Sequence, residues 1–397
     1  MIRQNASRWI AAGLIALIML VTAAATTARI DARQAQDVLS AAIDSLGAFD
    51  FPVRTAAART LRRAPSADVV PLLIAAVKNH KDSYVRYKAL VLLAGFDEKS
   101  TVDVITSVMA DRNDRLRAVA YEWFEQQPAS APIPALLEAL PKESSEFVRP
   151  ALTRALAAMN ADPRVRPALA PLILSGEDFF RGEVIEALGD YKASWAASAI
   201  EGVAKLEGPL QDDAVLALGK IGALSSLSAL GSLRPDVPRE RQMATAAALC
   251  MMGGENCDKL KTFLDDTLKF GASNDGFQPL LRSAARSLGA MAGRGDSAAF
   301  KSLIDVGATA NDQARGAIAL ALGTAAVRQP AALMAALAAR KSDQGAAIEL
   351  LRDAFDMLEE DFAEEMFYVT VRRAYWTAAD GSAERRLAEA VLQKLEF

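Results

Sequence analysis

Asp82-Ser-Tyr-Val-Arg-Tyr-Lys-Ala-Leu-Val-Leu-Leu93 sets an acidic residue ahead of Val85-Arg86 and then places apolar residues at Ala89, Leu92 and Leu93. Counted from Val85 these lie at i+4, i+7 and i+8, one face of an α-helix. The same pattern recurs ten times, with Val53, Val85, Leu116, Val148, Phe180, Leu210, Arg241, Leu281, Ala314 and Ala347 at the reference position. Successive copies are 30–33 residues apart, except between Arg241 and Leu281, where the interval is 40. A small residue at i+4 or i+7 with a larger one at i+8 suits close packing of neighbouring helices. The copy at Leu281 fits least well, with Ala285, Leu288 and then Gly289.

A second apolar helix precedes each copy. Val69, Leu72, Leu73, Ala76 and Val77 follow the helical spacing, and Val102–Met109, Ile133–Leu140, Leu169–Leu174 and Ala331–Leu337 are its counterparts. Pro71, Pro134 and Pro171 are read as lying in the opening turn of these helices, where a missing N–H costs nothing. No β-branched alternation persists over a strand length. The unit is helix, short polar turn, helix. One such pair cannot bury its apolar face alone, so neighbours must stack into an all-α solenoid of about ten antiparallel helix pairs.

The Asp-x-x-Val-Arg turn followed by Ala and Leu resembles the HEAT repeat, in the short form found in HEAT-like repeats of the phycobilin-lyase type. The resemblance covers about residues 34–358, although the period is shorter than the ~40–47 residues of longer HEAT and armadillo repeats. Neither the Trp-x-x-Leu-Gly pattern of tetratricopeptide repeats nor the Thr-Pro-Leu-His pattern of ankyrin repeats is present. Stacked repeats create a long curved surface, read as a protein-binding scaffold; the resemblance itself implies the fold. It also brings in a further reading, an accessory to an enzyme or chromophore-attachment system.

The residue after the reference position is arginine in seven copies: Arg54, Arg86, Arg117, Arg149, Arg181, Arg282 and Arg315. Gln211, Gln242 and Ile348 interrupt the row. Two readings compete, an anion-binding row and a structural ladder. The ladder is preferred, because an arginine can fork onto an acid or carbonyl of an adjacent turn and the resemblance implies it. Four residues ahead of the row stand mostly polar residues, among them Asp50, Asp82, Asn113 and Asn311, able to accept from amides at a helix start.

The chain has 397 residues, 52% apolar but only 6% aromatic, and a formal charge of −4. No basic stripe marks it as a nucleic-acid binder. His80 is the only histidine, and it sits in a polar turn. Without a second histidine, neither a metal site nor a His-based catalytic group is assembled, so no cofactor and no enzymatic activity are expected.

At the N-terminus, Arg3 and Arg8 precede Trp9–Ala28, which carries no charge and ends in small residues. Residues 1–28 are read as a secretory signal peptide or, uncleaved, as a membrane anchor. Both place the rest of the chain outside the cytoplasm, in the periplasm or cell envelope. The only cysteines, Cys250 and Cys257, flank Gly253-Gly254 and are the disulfide candidate that an exported protein favours.

Residues 29–358 are assigned to the solenoid, with a bend or loosening expected near 205–280, around the long interval. Residues 359–397 are assigned to capping helices. The cap contains Phe367, Tyr368, Tyr375 and Trp376, whose sharper reading is a partner-binding surface. The function expected is a non-catalytic exported scaffold for a protein partner, with no nucleic acid and with the membrane reached only through the N-terminal segment. The alternative is a membrane-anchored structural subunit of an envelope complex.

Overall fold

The computed structural model describes residues 33–96, 99–233, 238–358 and 361–395. The proposed leader, residues 1–28, lies outside them. Every regular element is helical: no strand occurs among the described residues. Among the described residues, twenty-two α-helices make ten pairs and a final two-helix cap. The first helix of each pair, here the A helix, is α1 (33–45), α3 (Ser66–Asn79), α5 (Lys99–Val108), α7 (Ile133–Ala139), α9 (Val165–Leu174), α11 (Ala197–Ala204), α13 (Leu227–Leu233), α15 (Cys257–Ser273), α17 (Ser297–Gly307) or α19 (Pro330–Ala338). The second, the B helix, is α2 (Phe51–Arg63), α4 (Ser83–Ala94), α6 (Asp114–Gln126), α8 (Arg149–Ala158), α10 (Asp178–Asp190), α12 (Gln211–Ile221), α14 (Arg239–Met251), α16 (Gln278–Ala292), α18 (Asp312–Arg328) or α20 (Gln344–Leu358). Each copy of the repeated pattern falls on a B helix. Asp50, Asp82, Asn113 and Asn311 cap B helices, each side chain accepting a hydrogen bond from a backbone N–H of the first turn.

The chain forms two compact units, divided after Phe96. The first holds two helix pairs, closed around Leu61, Val69, Leu73, Val77, Leu90 and Leu93. The second holds eight pairs and the cap. In it, α6, α8, α10, α12, α14, α16, α18 and α20 each pack on the next B helix in the series, while the A helices form an outer layer. Neighbour packed on neighbour along one continuous core makes this unit a solenoid.

Glycine sets the distance between successive B helices. A Cβ on Gly189 of α10 would lie 2.8 Å from the Ala217 Cα of α12, and one on Gly219 of α12 would lie 2.6 Å from the Ala248 Cα of α14. Gly289 meets Ala321, and Gly323 meets the Ala354 carbonyl. The glycine stands at i+9 of one copy and the small residue at i+7 of the next. This rule corrects the register of the poorly fitting copy. For Gly289 to stand at i+9, the reference residue is Leu280, not Leu281. Leu280, Ala284, Ser287 and Leu288 are then all buried. The slip escapes a sequence reading because Leu280 and Leu281 are both apolar.

One further expectation changes. Pro71 and Pro171 lie inside α3 and α9 rather than in an opening turn. Both face solvent, where water can hydrate the carbonyl that proline leaves unpaired. The long interval between Arg241 and Leu281 is taken up in helix. It forms the seventeen-residue α15 and a 3-10 turn at Asp275–Phe277, while α12, α14 and α16 remain packed in sequence.

The end of the chain covers the last pair. α21 (Asp361–Thr377) and α22 (Ala383–Leu395) pack on each other and against α18, α19 and α20. Phe367 is fully buried and Tyr368 nearly so, against Phe355, and the Tyr368 hydroxyl donates to the Leu395 carbonyl at 2.8 Å. Phe367 and Tyr368 are therefore cap core and are withdrawn from the expected binding surface, because their rings fill the space above α20. Tyr375 and Trp376 remain outside, ring to ring at 5.1 Å, with Trp376 73% exposed and the Arg385 guanidinium over both.

Candidate functional site

The arginines that follow the reference positions divide by what they touch. Arg54 donates to the Ala48 and Phe49 carbonyls, and Arg86 donates to the Val77 carbonyl at 2.7 Å. Arg181 bonds the Ile173 carbonyl and Arg315 the Gly307 carbonyl. Arg117 bonds the Asp111 carbonyl and forks onto Glu143 at 2.8 and 2.9 Å. The fork to Arg117 holds the Glu143 carboxyl below its ordinary range, against its burial. Arg149 stacks 3.9 Å from the centre of the Phe180 ring, on the next B helix. At a carbonyl left open where an A helix ends, the guanidinium ties that end to the start of its B helix.

Gln211, an interruption of the row, does the same work: its amide donates to the Ala204 carbonyl at 3.0 Å. Gln344 does likewise for Leu337 at 3.0 Å. At Gln211 one donor replaces another, and in the copy interrupted by Ile348 the donor comes from Gln344 at the helix start instead.

Arg282 differs. In the corrected register it lies at i+2, turned about 100° away from the ladder face. It is exposed and makes no hydrogen bond or ion pair among the described residues. It lines a cavity of about 350 Å³.

That cavity is built by two pairs of neighbouring B helices, α10 with α12 and α16 with α18, separated in the stack by α14. Its walls carry Glu186 from α10, Asp213, Leu216 and Lys220 from α12, Arg282, Arg286 and Gly289 from α16, and Ala317, Leu320, Thr324 and Arg328 from α18. α14 is missing from the wall. It offers Ala247, fully buried, at i+6, where other copies carry Arg154, Glu186 and Arg286. Over so small a residue α12 and α16 meet directly, and Asp213 pairs with Arg286.

The opposite end closes further. Arg328, ending α18, reaches Glu186 at 2.7 Å and Asp190 at 3.0 Å on α10, past three intervening B helices. A row of helices can make that contact only by curling, so this stripe is the inner, concave face of the second unit.

Six charges converge there. Asp190 also receives Lys220 at 2.7 Å and Arg154 at 3.1 Å. Arg154 continues to Glu125 at 2.8 Å, whose carboxylate accepts the Tyr191 hydroxyl at 2.6 Å. Burial pushes the Glu186 carboxyl up, but the attraction of Lys220, Arg328 and Arg154 outweighs it and holds the group well below the usual carboxylate range. Asp190 is likewise held low by Arg328, Lys220 and Arg154 against its burial. The same acids, with Glu125, keep Arg154 firmly protonated despite desolvation. Three cations and three anions balance, and the result is a clasp between α6, α8, α10, α12 and α18. Burial and the Glu125 charge push the Tyr191 phenol far up, so it stays a donor.

None of these groups stood out in the sequence. The signal was present at i+6 and i+10 of consecutive copies, where Arg154, Glu186, Asp190 and Lys220 fall, but the stripe gains meaning only once the curl is known.

The remaining candidates are elsewhere. Cys250 and Cys257 form a disulfide with Cα atoms 4.8 Å apart, between the end of α14 and the start of α15. His80, on the first unit, faces Asp44 at 3.1 Å. Among the described residues no group of three or more His, Cys, Asp or Glu side chains is arranged to hold a metal ion. No single described helix is long and apolar enough to cross a membrane.

Comparison with known protein families agrees with a helical repeat. The family model described as HEAT repeats matches residues 39–124 and 102–189, so the chain carries HEAT repeats across 39–189. Among solved structures, the Escherichia coli protein YibA is similar at 19% identity and a TM-score of 0.41, over 55% of this chain and 82% of that one. The CpcE–CpcF complex of phycocyanin lyase from Nostoc is similar at 21% identity and a TM-score of 0.39, over 65% and 95%. β-Catenin aligns over 92% of this chain and 97% of its own at 11% identity and a TM-score of 0.31. Each is a likeness of fold alone. No curated protein sequence matches the chain.

Proposed function

We propose that this chain is a non-catalytic scaffold that holds another protein against the concave face of its second unit. One observation carries the reading. The B helices of four repeats converge on a lined cavity, and the charged clasp beside it is internally neutralised, so the face is a surface for binding, with no activated nucleophile or base exposed in it. A stack of repeats supplies such an extended inner surface by construction. The N-terminal sequence, with Arg3 and Arg8 ahead of an uncharged stretch, supports export and action in the periplasm or cell envelope.

Photo-cross-linking in native envelopes tests the scaffold. A benzoylphenylalanine at Leu320, inside the cavity, is expected to capture a protein, and one at Phe179 on the exposed start of α10 is not. Capture from neither position, with the chain recovered free of partners at high yield, would sink the reading. N-terminal sequencing of the exported protein separates its two forms. A start near Arg29 means a soluble scaffold, and a retained Met1 means an anchored subunit.

A further inference from the structure

The wall charges leave one cation over. Lys220 and Arg328 share Glu186 and Asp190, Arg154 has Glu125, and Arg286 has Asp213. Among the described residues, Arg282 is the one wall cation with no counter-ion, and its guanidinium borders the 350 Å³ space. The surfaces beside it are apolar: Leu216, Ala317 and Leu320, the last 45% exposed. Thr324 adds a hydroxyl to the same wall. A guanidinium with five unused donors beside an apolar patch is matched by a planar carboxylate next to a hydrophobic group. The space accommodates a side chain and its neighbour but not a folded segment.

We propose that the cavity receives an acidic residue of the partner protein, its carboxylate forked by Arg282 and an adjacent aliphatic side chain laid on Leu216 and Leu320. This rests on the scaffold reading and specifies what the scaffold recognises. Charge complementarity selects the occupant. A basic segment would meet an unneutralised guanidinium, and a purely apolar one would leave that guanidinium desolvated and unpaired, which is disfavoured.

The test uses the whole exported chain, labelled at arginine Nε, with the Arg282 resonance assigned by its loss in Arg282→Lys. The probe is the peptide acetyl-Leu-Glu-Leu-amide, and its twin acetyl-Leu-Gln-Leu-amide is the control. The acidic peptide is expected to shift the Arg282 signal and to bind about tenfold more tightly than the neutral twin, the scale of one charged hydrogen bond. Arg282→Gln is expected to erase that difference with an unchanged melting temperature, since Arg282 holds nothing in the fold. Equal affinity for the two peptides overturns the proposal. Inorganic phosphate is the third arm. If it shifts Arg282 at the same concentration as the acidic peptide, the cavity recognises a bare anion and not an acidic residue on an apolar frame. The cross-link at Leu320 reports separately. A captured protein whose cross-linked segment lacks Asp and Glu leaves the scaffold standing and removes this inference, whereas no capture removes both.

Discussion

The B helices carry charged or hydrogen-bonding residues in two places, at the helix start and on the inner stripe, and the two do different jobs. At the helix start, Arg86, Arg181 and Arg315 bond carbonyls eight or nine residues away in sequence. On the inner stripe, Arg328 bonds an acid 142 residues away. The first set fastens a helix to its own partner. The second fastens one wall of the curl to the other. A ladder bond is local and repeated, so losing one rung weakens one repeat. A clasp contact is single and shared, so losing one member leaves several others without balance.

The largest effect is therefore expected at Asp190. Asp190→Ala removes the acid that Arg154, Lys220 and Arg328 all contact and leaves buried cations uncompensated, which costs about 3–5 kcal/mol. Urea unfolding of the second unit measures it, and a loss equal to that of a ladder arginine would erase the distinction between the two sets.

Acid provides the same attack without mutation. Glu186 and Asp190 have folded pKa values below their unfolded ones, so their contribution to stability is present above the ordinary carboxylate pKa and is lost as pH falls through the lower folded values. The clasp is thus at full strength at neutral pH and weakens below about pH 4. Melting curves from pH 7 to pH 3 are expected to drop more steeply for the native chain than for a variant in which Asp190, Glu186, Lys220 and Arg328 are all replaced by aliphatic residues. Parallel curves would show that the clasp does not set the acid response.

Gly219→Ala sharpens the comparison from the packing side. Its Cβ would press on the Ala248 backbone, and overpacking of this kind costs about 1–3 kcal/mol. Displacing α14 from α12 should also weaken the Asp213–Arg286 contact across it, visible as a change in the Arg286 Nε resonance. Smaller again are the rungs. Arg181→Ala is expected to cost about 1.5 kcal/mol and Gln211→Ala about 1 kcal/mol, because a charged donor holds a carbonyl more strongly than a neutral one. Thermal unfolding ranks them, and a Gln211 variant without effect would return the interruptions of the row to suspicion.

The ladder, the helix pairs and the cap were legible because each depends on contacts within about one repeat. Asp82 capping Tyr84 and Arg86 meeting Val77 need no knowledge of curvature. The clasp was not legible, since Glu186 and Arg328 become neighbours only through the summed rotation of four repeats. The slip at Leu280 belongs to the same class. Two adjacent leucines satisfy either register, and the choice is made by Gly289 against Ala321, a contact with the following repeat. That slip moved Arg282 from a rung to the one basic group facing the cavity that has no counter-ion among the described residues.

The contact of Arg328 with Glu186 and Asp190 also changes how this stack should fold. A solenoid of nearest-neighbour contacts unfolds as a one-dimensional chain, able to fray repeat by repeat from either end. Joining α18 to α10 adds a non-local constraint that forms only after the intervening repeats are in place. Residues 178–328 should then open in hydrogen exchange as one cooperative block, with the pairs on either side fraying independently of it.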